Sequence, residues 1–285
     1  MNYQMVRLAP GLYFVATPID TARDITLRAL DILASAEVIA AEDTRSLRRL
    51  MEIHGVPLEG RRILSYHDHS GPAARAQLIE ALRAGQSVAY ASEAGMPLIA
   101  DPGYDLGRAA AEAGFTVTAA PGPSAALTAL TLAGLPTDAF FFAGFLPNAR
   151  GARRARLEAL RDIPGTLVFY ESPKRAEASL ADMAEVLGAG RAAALCRELT
   201  KKFEQVRRGT LAELSAGAVE DPPRGEIVIL VDRSHSQPVN ASDIESDLRA
   251  ALADHTVRDA ADLVARMHGQ KRREVYQLAL KLSKG

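Results

Sequence analysis

Two short loops hold the residue types best suited to binding a ligand. Between Val88 and Gly103 the chain reads VAYASEAGMPLIADPG, an apolar run that breaks into small residues, glycines, prolines and the carboxylates Glu93 and Asp101. A second loop, AAPGPSAA from Ala119 to Ala126, follows the next strand-like run, FTVTA. Gly and Pro at such places let the main chain come close to a ligand, and in open α/β sheets ligands sit beyond the carboxyl ends of the strands. Two such turns behind two consecutive strands predict one shared crevice. Neither loop carries a P-loop lysine, and no GxGxxG follows the first strand, which argues against a nucleoside triphosphate and an ordinary dinucleotide.

Other candidate chemistries are excluded by spacing and count. His67, Asp68 and His69 put two imidazoles on one face of a strand, but no third ligand follows at suitable spacing, so no metal is expected. The single Cys196 permits no internal disulfide and no Cys-based zinc site, which fits a cytoplasmic protein. The start MNYQMVRLAPG lacks the order of a signal peptide, and no apolar run reaches the roughly 20 residues of a membrane span. With a net charge of −1, any polyanionic partner must be held by a local basic patch.

The elements that position the loops follow from the hydrophobic pattern. Runs at 11–17, 36–41, 61–66, 86–91 and 115–120 read as strands, and the segments between them have the i, i+3, i+4 spacing of helices, three of them closing on a glycine. This βα repeat predicts a mainly parallel sheet. A second set of strands is expected at 140–146, 166–171, 192–199, 203–210 and 225–232, with helices near 150–161 and 173–187. The stretch LTKKFEQVRRG has no room for a helix, so its two strands should pair antiparallel. After Asp232 a polar segment, SHSQPVNASD, reads as a linker to three short amphipathic helices over 242–283, with Thr256 and Asp259 capping one start and Gly269 one end. At 285 residues and 48% hydrophobic content, the expected division is an α/β domain at 1–122, a second at 123–233 and a helical accessory module at 241–285.

Nine segments in order, GLYFVATPI, DITLRAL, IAAEDTR, ASEAGMPLIADPGY, APGPSA, GFLP, FYESPKR, CRELTKKFE and RGEIVIL, resemble the bacterial ribosomal RNA small-subunit methyltransferase I family of the tetrapyrrole methylase superfamily. The likeness covers residues 11 to 232. It implies a two-domain α/β tetrapyrrole-methylase-like fold with S-adenosylmethionine in the interdomain cleft. It also implies 2′-O-methylation of a cytidine in the decoding region of 16S rRNA, presented as rRNA or an assembled 30S subunit. The enzyme would have no membrane contact, with a homodimer as one option for its assembly. By the same resemblance Pro18, Glu93, Gly95, Met96, Ser124, Ala125, Tyr170 and Gly225 line the cofactor pocket, mostly through backbone groups. Glu42, Asp43 and Arg45 of AEDTR, Glu171, Glu198 and Lys201 are the polar residues expected near the acceptor. Lys201 would serve either as a desolvated base or as the cation that holds the developing oxyanion. Fixing two reactants in near-attack geometry supplies roughly 7 to 11 kcal/mol, more than a base typically adds.

Several of these residues have an ordinary structural reading as well. Asp43 sits where a helix cap belongs. Glu171 and Glu198 have Arg175 and Arg197 within pairing reach. The chain has TPIDTA where the family usually has TPIGNL, and SEAGMP for SDAGTP, so Asp20, Glu93 and Met96 are departures. Asp20 lacks glycine's access to positive φ, which leaves the first loop open to another path and the cofactor affinity open to change. Basic residues cluster at Arg45, Arg48 and Arg49; at Arg150, Arg153, Arg154, Arg156 and Arg161; at Lys201, Lys202, Arg207 and Arg208; and at Lys271 to Arg273, whose charge opposes the helix dipole. These are the candidate RNA contacts, with Arg150, Arg154 and Arg161 forming one stripe. Sparse aromatics favour recognition of RNA shape over base stacking. Two alternatives stay open: a methyltransferase acting on a tetrapyrrole carbon, and a non-catalytic RNA-binding homologue.

Overall fold

The computed structural model describes residues 2–67, 70–100, 103–234, 241–267 and 272–283, which fall into two compact units, Met1–Arg233 and Ser234–Gly285. Asp68, His69, Gly269 and Lys271 lie outside the described residues.

In the first unit, β1 (Gly11–Val15), β2 (Val38–Ala41), β3 (Ile63–Ser65), β4 (Ser87–Ala91) and β5 (Val117–Ala120) form a sheet in the order β3-β2-β4-β1-β5, with every pairing parallel. Both faces are covered, which is why these strands read as unbroken apolar runs. Val15, Ala41 and Ala89 pack under α1 (Leu27–Ser35) and α2 (Thr44–Ile53). Leu12, Phe14, Val88 and Tyr90 pack under α3 (Pro72–Arg83) and α4 (Tyr104–Glu112).

A mixed sheet follows, ordered β6-β7-β10-β8-β9, from β6 (Phe140–Phe145), β7 (Thr166–Glu171), β8 (Ala192–Arg197), β9 (Gln205–Thr210) and β10 (Ile227–Val231). Only β6 and β7 are parallel; β8 and β9 pair antiparallel, as the short connection requires. One face is buried by α6 (Arg150–Leu160), α7 (Pro173–Leu187) and α8 (Leu211–Glu220), the other by α5 (Ala125–Ala133). The expected strands and helices are present. Helices α5 and α8 are not expected from the pattern, although Thr210 and Glu213 form a complete capping box at the start of α8.

The second unit holds α9 (Ala241–Asp254), α10 (Val257–Met267) and α11 (Arg272–Leu282) around its own apolar core of Leu248, Ala261, Val264, Val275 and Ala279. Thr256 caps α10, its hydroxyl accepting the Asp259 N–H at 3.3 Å.

Candidate functional site

The two glycine-proline loops meet, though not as neighbours. In the sheet, β1 lies between β4 and β5, and both loops close around its carboxyl end. Thr17 and Gly95 exchange main-chain hydrogen bonds at 3.0 and 3.1 Å. A Cβ on Gly122 would lie 2.7 Å from that of Ala16, and one on Gly95 would lie 3.3 Å from the Pro123 carbonyl oxygen. The Ser92 hydroxyl donates to the Gly95 carbonyl at 2.6 Å, while the Thr17 hydroxyl lies 3.3 Å from the carbonyls of Ser92 and Glu93. Leu98 and Ala100 take left-handed backbone, with φ of 70° and 62°. Such conformations cost roughly 1–3 kcal/mol each and persist where their surroundings over-determine them.

A cavity of about 430 Å³ opens between these loops and the ends of β7 and β10. That volume suits a small ligand. Seven expected cofactor residues line it: Glu93, Gly95, Met96, Ser124, Ala125, Tyr170 and Gly225. Pro18 lines a second cavity of about 510 Å³ instead, between the first loop, α2 and Lys201. Ile19, Glu93, Ala94 and Glu226 border both cavities, so two carboxylates lie where the cavities adjoin. Phe145 and Glu226 are absent from the residues expected on sequence grounds. Phe145 is detectable there as an aromatic ending an exposed strand, and Glu226 as a lone charge before the wholly buried β10.

Lys201 lines the second cavity with its ammonium 3.2 Å from both Glu198 and Glu226. Burial works against its charge, but the hydrogen bonds with Glu198 and Glu226 outweigh it and hold its pKa above the usual lysine value. The Glu226 N–H, followed by burial in the opposite sense and the Lys201 ammonium, holds the Glu198 carboxyl below the usual glutamate range. Lys201 therefore presents a cation at neutral pH. Glu198 and Thr200 are also left-handed, with φ of 52° and 65°. This loop is strained and tied down: the Thr21 hydroxyl donates to the Thr200 carbonyl at 2.6 Å.

The other polar candidates hold the site in place. Glu42 accepts the Glu93 N–H at 3.2 Å, which fixes the loop carrying that carboxylate. Asp43 caps α2 by accepting the N–H groups of Arg45 and Ser46, and these bonds lower its pKa. Arg45 is 93% exposed, pairs with Asp43 at 3.7 Å and lines neither cavity. Glu171 borders the first cavity, but its buried carboxylate already accepts from Ser172 N–H, Ser179 hydroxyl and Arg175 at 2.8, 2.6 and 3.0 Å. It anchors β7 to α7. Asp20 is exposed and does not take positive φ, so the first loop passes it without glycine's freedom.

The expected arginine stripe is a correction. Arg150 and Arg154 face Asp182 and Glu185, Arg161 pairs with Glu158, and Arg153 is buried against Asp182 at 2.7 Å. Arg207 binds Asp221, and Arg208 caps the carbonyl end of α5 at Leu132 and Ala133. The sequence shows the arginines, but apart from the local Arg161–Glu158 pair their partners come from another element of the chain. Positive charge remains exposed on α2, at Arg45, Arg48 and Arg49, with Arg49 lining the second cavity. In the helical unit Arg272 pairs with Asp262, which explains a basic residue at a helix start without invoking RNA.

Residues 11–215 match the family of tetrapyrrole (corrin/porphyrin) methylases, and residues 239–283 match the RsmI C-terminal HTH domain. A ribosomal RNA small subunit methyltransferase I from Mesorhizobium japonicum is 48% identical over 96% of this chain and 93% of its own length. Its counterpart from Escherichia coli O157:H7 is 42% identical over 94% of each chain. Among solved structures, uroporphyrin-III C-methyltransferase from Thermus thermophilus complexed with S-adenyl homocysteine covers 77% of this chain and 96% of its own at 20% identity, with a TM-score of 0.52. The tetrapyrrole-methylase fold, with its two sheets, is therefore common to chains of very different sequence.

Proposed function

The chain belongs to the ribosomal RNA small subunit methyltransferase I family, and on that premise we propose that it is an S-adenosylmethionine-dependent enzyme of small-subunit rRNA, with a cytidine 2′-hydroxyl as acceptor. The observation that supports this best is the pair of adjoining cavities that share Ile19, Glu93, Ala94 and Glu226 in their linings. Methyl transfer in line needs the donor methyl and the acceptor oxygen in direct contact, which a donor in one cavity and an acceptor in the adjoining one can reach along their shared border.

The first cavity fits the cofactor. Gly95, Ser124, Ala125 and Gly225 offer close-lying backbone, Tyr170 and Phe145 offer flat apolar walls, and Glu93 and Glu226 place negative charge beside an ammonium or sulfonium. When bound, the cofactor supplies an electrophilic methyl group. The protein's residues do the remainder: Glu42 fixes Glu93, while Glu198 and Glu226 fix Lys201 facing the second cavity. There the ammonium stabilises charge that develops on the acceptor oxygen as the hydroxyl proton passes to solvent, the C–O bond forms and the methyl–sulfur bond breaks, leaving the thioether in the first cavity. The cations of α2 and the loop at 198–204 form the phosphate-binding face, and the C-terminal module adds a further RNA grip. A cytoplasmic location and a homodimer belong to the same proposal, the second copy meeting the open edge of β6 where Phe140 and Phe141 are exposed.

The test is to incubate small ribosomal subunits with the protein and labelled S-adenosylmethionine, then map the new methyl group. A label on a cytidine 2′-oxygen is expected. A label on a base would overturn the acceptor assignment. Turnover of a tetrapyrrole instead of rRNA, or failure to bind the cofactor, would support one of the two alternatives.

A further inference from the structure

Phe203 is 63% exposed, an apolar ring in a loop where Glu198, Lys201 and Glu204 are engaged. It sits in the turn that the Glu204 N–H closes on the Lys201 carbonyl at 3.1 Å, directly after the turn that the Lys201 N–H closes on the Glu198 carbonyl at 3.0 Å. The Glu204 carboxylate folds back to accept the Thr200 N–H at 2.7 Å, and Thr21 pins Thr200 from the other half of the unit. The ring is thus displayed by a doubly closed, anchored turn. The Lys202 ammonium lies 5.6 Å from the ring centroid, and Lys201, two residues back, lines the second cavity beside Arg49.

An exposed aromatic with a lysine beside it has the makeup of a single-strand nucleic-acid contact. The π-face takes a base of any sequence, and the Lys202 ammonium takes a neighbouring phosphate. Sequence-tolerant contacts of this kind suit a target ribose in a single-stranded loop, where the bases beside it are unpaired. We infer that Phe203 is a stacking shelf for an unpaired nucleobase beside the acceptor ribose. This rests on the proposed rRNA methyltransferase activity and adds a site to it. It also amends the expectation of recognition by RNA shape alone, since one well-placed ring serves where a broad aromatic platform is missing.

The test compares wild type with Phe203→Leu, Phe203→Ala and Phe203→Tyr in the full-length protein. For small subunits, Phe203→Ala and Phe203→Leu should raise KM about tenfold, within the range set by base–aromatic stacking, and Phe203→Tyr should restore it. Cofactor affinity and melting temperature should not move. A second readout needs no turnover: a hairpin RNA with 2-aminopurine in its loop should lose fluorescence on binding wild type and Phe203→Tyr, but not Phe203→Leu. If Phe203→Leu equals Phe203→Tyr in both assays, the ring contributes only apolar area and the shelf is refuted. If Phe203→Ala instead changes the sedimentation coefficient, the ring belongs to a contact between copies, and the shelf is equally refuted. Wild type that quenches the hairpin but methylates no subunit overturns the proposed activity and leaves the shelf standing.

Discussion

Glu198 can occupy its position only because residue 225 has no side chain: a Cβ there would lie 2.1 Å from the Glu198 Oε1 that binds Lys201. Gly225 also has a φ of 80°, in the region that favours glycine. The wall of the first cavity and the lysine of the neighbouring cavity are therefore mechanically linked.

Gly225→Ala should strain its own backbone by roughly 1 kcal/mol or more and displace Glu198. The expected result is a fall in melting temperature of a few degrees and at least a tenfold loss of methyl transfer, measured on subunits with labelled cofactor. Glu198→Gln, which keeps the shape but not the charge, separates the two effects: it should lose rate with little change in melting temperature. If Gly225→Ala is as active as wild type, the link between the cavities has no catalytic consequence.

Lys201 is expected to work as a cation. Lys201→Met should lower the rate by one or more decades with cofactor affinity nearly unchanged, and Lys201→Arg should recover part of it. Because the folded-state pKa is raised, the favourable interaction is complete below the unfolded value of 10.5 and is lost only as pH rises through the still higher folded value. Glu198 runs the other way: its contribution is present above the ordinary 4.5 and is lost as pH falls through its lowered value. The rate should show no ionisation of Lys201 near neutral pH. A near-neutral limb present in wild type and absent in Lys201→Met would mean that the amine accepts the proton.

The fold is legible in the sequence because its signals are local. Unbroken apolar strands such as QSVAYA and GEIVILVD, separated by helix-length segments, fix two sheets, and the cramped LTKKFEQVRRG fixes one antiparallel pair. The loops that line the first cavity are legible for the same reason. Pairing across distance is not. Asp182 lies 29 residues from Arg153, so a row of arginines looks like an RNA stripe until its carboxylates are placed. Glu226 is adjacent to Gly225, yet only the antiparallel pairing of β10 and β8 brings it to Lys201.

Asp182 is expected to matter for stability alone. Its side chain is buried; burial acts to raise its pKa, but hydrogen bonds from Arg153 and Arg150 outweigh this and lower it. Asp182→Asn leaves Arg153 buried without a counter-charge and should cost about 3–5 kcal/mol in urea unfolding at neutral pH. The wild-type advantage is present above the ordinary aspartate value of 3.8 and should vanish as pH falls through the lower folded value. Activity of the folded variant in the cold should match wild type.

Ser124 starts α5 and lines the first cavity. Ser124→Arg puts a bulky cation where a cationic ligand is expected, and calorimetry should show no cofactor binding while circular dichroism stays native. Unchanged affinity would remove the ligand from this cavity and with it the proposed division of labour.

The helical module offers the last test. Swapping the whole basic start of α11 is uninformative, because Arg272 pairs with Asp262 and its reversal would disrupt the module's own packing. Arg273 is exposed and is the residue to change. If it contacts a phosphate, Arg273→Glu should weaken binding to small subunits and reduce the slope of log K against log salt by about one, since one fewer counterion is released. Cofactor affinity and melting temperature should be those of wild type, because the core of Leu248, Val264 and Val275 is untouched. Removing the chain beyond Arg233 should flatten the salt dependence further while the remaining unit, with both sheets intact, still binds cofactor. Arg273→Glu binding that equals wild type at both low and high salt would show that this helix start does not touch RNA. A shortened chain that keeps the full salt slope would show the same of the whole module.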